Sequence, residues 1–88
     1  MQRWTNVFRI LSNVNRLKII ALLSVNKKMS VTEIADQLPI SFKATANHLA
    51  ILKNAAVASS EGTAGHVYYY LNPKMPAGFR KAIDLVLK

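Results

Sequence analysis

Apolar residues recur at helical spacing over most of this chain, and the period changes once. Val7, Ile10, Leu11 and Val14 fall at i, i+3, i+4 and i+7 with Phe8 beside them, the spacing that lines one face of a helix. Thr5 or Asn6 is placed to cap that helix, because a short polar side chain accepts from a free backbone N–H. Asn13 is placed to cap a second helix, which carries Leu17, Ile20, Ala21 and Leu23 inward. Asn26, Lys27 and Lys28 read as the loop that follows. Ser30-Val31-Thr32-Glu33 then matches S-x-x-E, a capping box in which each side chain bonds the other residue's backbone N–H. Ile34, Ala35 and Leu38 face inward from this third helix. Pro39 ends it, since proline biases the preceding residue away from helical backbone. Ser41 opens a fourth helix after a short turn. Thr45, Leu49 and Leu52 form its inward stripe, with Ala44, His48 and Ile51 alongside. Phe42, Lys43, Ala46, Asn47, Ala50 and Lys53 fall on the other side.

From Val57 onward alternation replaces the helical period. A strand is predicted from Val57 to Ser60 or Glu61, then a turn at Gly62-Thr63-Ala64-Gly65. The return strand is His66 to Leu71, with Val67, Tyr69 and Leu71 inward, and Asn72-Pro73 stops it. A last helix is predicted from Pro76 to Leu87, with Phe79, Ile83, Val86 and Leu87 on one side. This order predicts a mainly α fold with a small β-hairpin: a winged helix-turn-helix of four helices, a two-stranded wing and a C-terminal helix. One domain is expected over residues 1–88. The helix-turn-helix falls at about 31–54, the wing at about 57–71, and dimerisation helices at about 5–12 and 76–88.

Composition narrows the picture. With 88 residues, 51% of them hydrophobic, the chain can build one core, and it has no cysteine to reinforce it. A domain this small is marginal alone. The apolar rows at its two ends, Trp4, Phe8 and Leu11 in one and Phe79, Ile83 and Val86 in the other, therefore predict a homodimer. Twelve Lys and Arg against four Asp and Glu leave a formal charge of +8, which points to a polyanionic partner. The cations are scattered, so charge alone does not locate that partner. Polar residues break up the N-terminal segment, which reads as neither a signal peptide nor a membrane span. Cytoplasmic localisation is the expectation.

The third and fourth helices are where function is expected. In a helix-turn-helix the second helix enters the major groove of DNA. The geometry needs a small residue at the helix contact, here Ala35, and apolar residues that lock the pair, here Ile34, Leu38, Ile40 and Leu49. It also needs a small or polar outer face, which Lys43, Ala46 and Asn47 supply with Phe42 at the entry. The hairpin that follows is placed as a wing.

The runs FRILSNVNRLKIIALL, VTEIADQLPISFKATANHLAILKNAAV and EGTAGHVYYYLN resemble the ArsR/SmtB family of winged-helix repressors. The resemblance covers Phe8 to Asn72 and is carried best by Asn15-Arg16-Leu17-Lys18-Ile19, Glu33-Ile34-Ala35, His48-Leu49 with Leu52, and Val67-Tyr68-Tyr69 with Leu71. It implies a homodimer joined by the first and last helices, and two recognition helices in successive major grooves of a near-palindromic operator. It implies base-facing positions at Phe42, Lys43, Ala46 and Asn47. The full candidate DNA-contacting set is Ser41, Phe42, Lys43, Ala46, Asn47 and Lys53 on the fourth helix, Arg16 and Lys18 on the second, and Thr63 and His66 on the wing. Three departures stand out. Ala56 replaces the glycine usual near the end of the recognition helix. Ala46 and Asn47 replace the usual Ser or Thr and Arg. The wing tip Thr63-Ala64-Gly65-His66 carries no Lys or Arg.

Many members of that family sense metals, through cysteines in the third helix or through Asp, His and Glu on the last helices. Here those places hold Glu33-Ile34-Ala35-Asp36-Gln37 and Asp84 alone. No metal or other cofactor is therefore expected, and His48 and His66 read as a packed helix residue and a surface wing residue. No nucleophile, base and orienting group come together in the sequence, and no phosphate loop is present, so an enzyme is not expected. The rival reading is a winged helix that binds proteins, which Phe42 and the uncharged wing tip favour.

Overall fold

A computed structural model describes residues 2–87; Lys88, the end of the expected last segment, lies outside the described residues. Among the described residues the order is α1 (Gln2–Leu11), α2 (Val14–Val25), β1 (Met29–Ser30), α3 (Val31–Asp36), α4 (Phe42–Asn54), β2 (Ala58–Thr63), β3 (His66–Leu71) and α5 (Ala77–Val86). The expected winged helix-turn-helix is borne out, with one correction. The sheet has three antiparallel strands in the order β1-β3-β2, not two. Met29 pairs with Tyr69 and Ser30 with Tyr68. A two-residue strand has no alternation to read, so it left no periodic signal.

Caps set the helix starts. Asn13 Oδ1 accepts from the N–H groups of Asn15 and Arg16 at 2.9 and 3.1 Å. The capping box of α3 is complete: Ser30 Oγ accepts from Glu33 N at 3.1 Å, and Ser30 N donates to Glu33 Oε1 at 2.8 Å. Ser41 Oγ accepts from Ala44 N at 3.0 Å at the start of α4. The first helix differs from expectation. It already includes Gln2, so Thr5 and Asn6 are interior positions and not caps. Asn6 Oδ1 instead accepts from the Arg9 guanidinium at 2.7 Å. Helix α3 stops at Asp36, and a tighter turn with Leu38 N donating to Ala35 O at 3.1 Å still carries Leu38 into the core.

The end of α4 explains one departure from the family pattern. Ala56 has φ 62°, the left-handed region that favours glycine. Its N–H donates to Lys53 O at 3.0 Å, and Val57 N donates to Leu52 O at 2.9 Å. This is the Schellman arrangement, and the buried pair Leu52 and Val57 provides its usual apolar contact. Asn72 secures the same corner from the far end of the sheet, donating from Nδ2 to Ala56 O at 3.0 Å.

The core runs through every helix. Ile19, Ile20, Ile34, Leu49, Leu52 and Val57 have no exposed surface, and Val7, Ile10, Phe79 and Ile83 join them. Helices α1 and α5 meet closely at Gly78, where a Cβ would lie 3.1 Å from Val7 Cγ2. In the hairpin, Ala64 (φ 51°) and Gly65 (φ 81°) form a two-residue turn with both central φ positive, the type I′ geometry that suits the twist of the strands. Gly62 lies in β2, paired with Val67, and not in the turn. Tyr69 and Leu71 pack against the core as expected, but Val67 is 49% exposed because the hairpin projects past the core at its distal end. At the chain's end Val86 also faces outward, at 57% exposure.

Two stability changes follow. Ser30→Ala removes the acceptor of the α3 cap and is expected to cost about 0.5–2 kcal/mol in urea denaturation. Ala56→Gly relieves the left-handed backbone of a non-glycine residue and is expected to raise stability by about 1 kcal/mol in the same measurement.

Candidate nucleic-acid interface

The outer face of α4 exists because its inner face is fully used. Thr45, Leu49 and Leu52 are buried one turn apart on the inner side. Thr45 is the one polar side chain buried with them among the described residues, and its hydroxyl donates to Ser41 O at 2.9 Å, so burial leaves nothing unsatisfied. With the helix rotation set by that stripe, Phe42, Lys43 and Asn47 point to solvent. Phe42 is 58% exposed. Ala46 is half-buried and Ser41 is engaged as the cap.

The ten expected contact residues do not form one surface. Phe42 and His66 are brought together: with Val31, Val67 and Tyr69 they line a groove of about 350 Å³ between the start of α4 and the wing. Thr63 and His66 pair at the wing tip, and both are exposed. Lys43 and Asn47 complete an exposed surface on α4. Arg16, half-buried, and Lys53, exposed, are both engaged in contacts with the chain itself. Arg16 donates from Nε to Ile10 O at 2.6 Å and from one terminal nitrogen to Arg9 O at 3.4 Å. Its other terminal nitrogen lies 3.3 Å from His48 Nδ1. Lys53 donates from Nζ to Ser60 Oγ at 2.7 Å, tying the end of α4 to the base of the wing. Lys18 lies apart, in an apolar groove between α2 and the end of α3 lined by Ala21, Leu22, Val25 and Leu38.

The expected dimer residues separate in the same way. Leu11, Phe79 and Ile83 are buried in the chain's own core. Phe8 (64% exposed) and Val86 remain outside, joined by Leu85, which sequence reading did not single out. Trp4 is half-buried, its ring 6.0 Å from that of Phe8, with Arg3 stacked over it at 5.9 Å.

Two further contacts left no sequence signal because their partners are distant in the chain. Lys28 forms an ion pair with Glu61, bracing β2 against the loop before β1. That hydrogen bond and the carboxylate charge raise the Lys28 ammonium above its ordinary pKa. The Arg16–His48 contact is the other. His48 is held below the ordinary histidine pKa, by burial first and by the Arg16 charge second. Among the described residues no three His, Cys, Asp or Glu side chains gather where a metal ion could be held. No helix among them is long and apolar enough to cross a membrane.

An α3-turn-α4 pair followed by a hairpin, with an exposed polar and aromatic face on α4, defines a winged helix-turn-helix protein. Residues 13–60 match the profile described as bacterial regulatory protein, arsR family. The chain belongs to that family, whose members named below are transcriptional regulators and not enzymes. The cadmium resistance transcriptional regulatory protein CadC of Listeria innocua is 38% identical over 64 residues, 73% of this chain and 54% of that protein. The chain thus spans about half the length of that relative. The transcriptional repressor SdpR of Bacillus subtilis is 39% identical over 67 residues, 76% of this chain and 73% of the repressor. In structure, the transcriptional regulator HlyU of Vibrio vulnificus superposes with a TM-score of 0.78 at 27% identity, over 97% of this chain and 84% of that one.

The two faces of α4 are separable by mutation. Lys43→Ala and Asn47→Ala are expected to leave stability within about 0.5 kcal/mol of the parent. Leu49→Ala opens a cavity under the same helix and is expected to cost about 2–5 kcal/mol. Thermal and urea melts of the three variants check this.

Proposed function

We propose that the chain is a DNA-binding transcription repressor that acts as a homodimer on a near-palindromic operator, with α4 of each protomer in a major groove. In this reading α3 and α4, within residues 31–54, are the helix-turn-helix, and residues 57–71 form the wing. The carrying observation is the exposed row Phe42, Lys43 and Asn47 on a helix whose opposite side is locked in the core. Neither the Lys43 nor the Asn47 side chain has a hydrogen-bond partner among the described residues, so both are available to a ligand. A lysine meets phosphate or the acceptor edge of guanine, and an asparagine can pair in bidentate fashion with adenine. The formal charge of +8 supplies the long-range attraction. The wing tip offers Thr63 and His66, which suit backbone contact. The cadmium resistance transcriptional regulatory protein and the transcriptional repressor SdpR support the same reading.

The partner surface is proposed on α1 and α5, around Phe8, Leu85 and Val86 with Trp4 at its edge. Burying one such side chain contributes about 1.5–3 kcal/mol, and twofold symmetry repeats the gain. A second reading, a winged helix that binds another protein, rests on exposed Phe42 and the uncharged wing tip.

Selection from a random duplex pool, followed by titration at graded salt, separates the two. A DNA reader yields an enriched sequence whose affinity falls steeply with salt as counterions are released. Asn47→Ala is expected to lose about 1–3 kcal/mol on the enriched duplex and little on random DNA. Lys43→Ala is expected to lower the salt slope by about one unit if it meets a phosphate. No enrichment, with no duplex affinity at moderate salt, transfers the outer face of α4 to a protein partner. For the dimer, sedimentation of the parent is expected at twice the chain mass and of Phe8→Glu at the chain mass. A stable parent monomer overturns the interface.

A further inference from the structure

We propose that Arg16 is a positioning residue for the recognition helix, fastening α4 to the end of α1 through His48, and that a proton on His48 opens this fastening. The inference rests on the DNA-reading role of α4 and adds how that helix is held and how it can be released.

The geometry is a three-way brace. Arg16 sits in the first turn of α2 and reaches two other helices. Its Nε donates to Ile10 O at 2.6 Å, and a terminal nitrogen donates to Arg9 O at 3.4 Å. Both carbonyls lie in the last turn of α1, where carbonyls lack helical partners and attract positive charge. The remaining terminal nitrogen meets His48 Nδ1 on α4 at 3.3 Å. A guanidinium has donors and no acceptor. The contact is therefore a hydrogen bond only when Nδ1 carries the lone pair, which places the ring proton on Nε2.

Protonation removes that lone pair and sets two cations against each other. Nothing nearby offsets the repulsion, since no acid is among the charges acting on the His48 ring. Glu33 is engaged in the α3 cap and Glu61 with Lys28, while Asp36 and Asp84 are exposed on α3 and α5. On α1, the Arg9 guanidinium is turned to Asn6 Oδ1. The lowering of the His48 pKa agrees with this: the neutral ring is favoured in the fold, so the brace stays intact as pH falls through the ordinary histidine range and opens only below it, where the folded ring takes its proton.

The consequence for DNA is one of spacing. Helix α1 carries Phe8 on the proposed dimer surface, and α4 carries the reading face. The brace between them sets the offset of the two reading faces in a dimer. A loosened brace therefore weakens binding to two correctly spaced half-sites more than binding to one.

The test uses the full chain with His66 in place, and the His48→Gln variant isolates the contribution of His48 from that of the wing. The probes are the enriched duplex with both half-sites and the same duplex with one half-site scrambled. From about pH 8 to about pH 5.5 the preference for two half-sites is expected to fall about fivefold to tenfold. His48→Gln, whose amide oxygen can still accept from Arg16, is expected to keep the preference at both pH values. Arg16→Met is expected to lack it at both, and Arg16→Lys to restore it in part. Equal losses on both probes would assign Arg16 to general stability and overturn the proposal. A DNA-free arm separates the proposal from its premise: the resonance of the Arg16 terminal N–H that meets His48 Nδ1, followed by NMR alongside the His48 ring, is expected to broaden as the ring takes its proton. An unchanged resonance overturns the brace. A broadened one without any enriched duplex keeps the brace and removes the DNA reading.

Discussion

The burial of three side chains on one side of α4 governs the rest of the molecule. Thr45, Leu49 and Leu52 fix the rotation of that helix, and the rotation decides which residues solvent or a ligand can meet. Ile34 and Leu38 on the preceding segment, Val57 just after it and Ile19 and Ile20 from α2 belong to the same core. The packing is therefore shared by nearly every element, and the outer row Phe42, Lys43 and Asn47 is presented on a rigid support. Precise presentation matters more for a groove-reading helix than raw charge does, because phosphate attraction is tolerant of position and base contacts are not.

The scattered cations take on distinct roles once folded. Lys28 is paired on the wing, Lys53 ties the wing to α4, and Arg16 braces three helices. Lys43 stands free beside Asn47. A chain with a formal charge of +8 thus places part of that charge on internal joints and leaves a smaller share for the ligand face. This explains why charge counted along the sequence did not point to any one surface.

Local signals were the legible ones. The S-x-x-E box, the Asn13 and Ser41 caps, the inward stripe of α4 and the bounds of β3 all depend on neighbours within a few residues, and each appeared where the sequence put it. Signals that depend on distant partners were not legible. The pairing of Met29 with Tyr69, the Arg16–His48 contact and the Lys28–Glu61 pair join residues far apart in the chain. Phe79 and Ile83 show the same limit: an apolar row on a terminal helix reads alike whether it packs on its own chain or on a partner. The substitution of Ala56 for glycine was visible in the sequence, but its backbone meaning required the φ angle. The third strand was lost because two residues cannot display a period.

That third strand also has a kinetic meaning. Pairing Met29 with Tyr69 closes a ring of about forty residues that contains the whole of α3 and α4 and most of the hairpin. Helices and a two-residue turn organise locally and quickly, whereas a ring this wide closes only after its contents are compact. On these grounds the two-residue strand is expected to pair last, as a clasp on an already assembled motif.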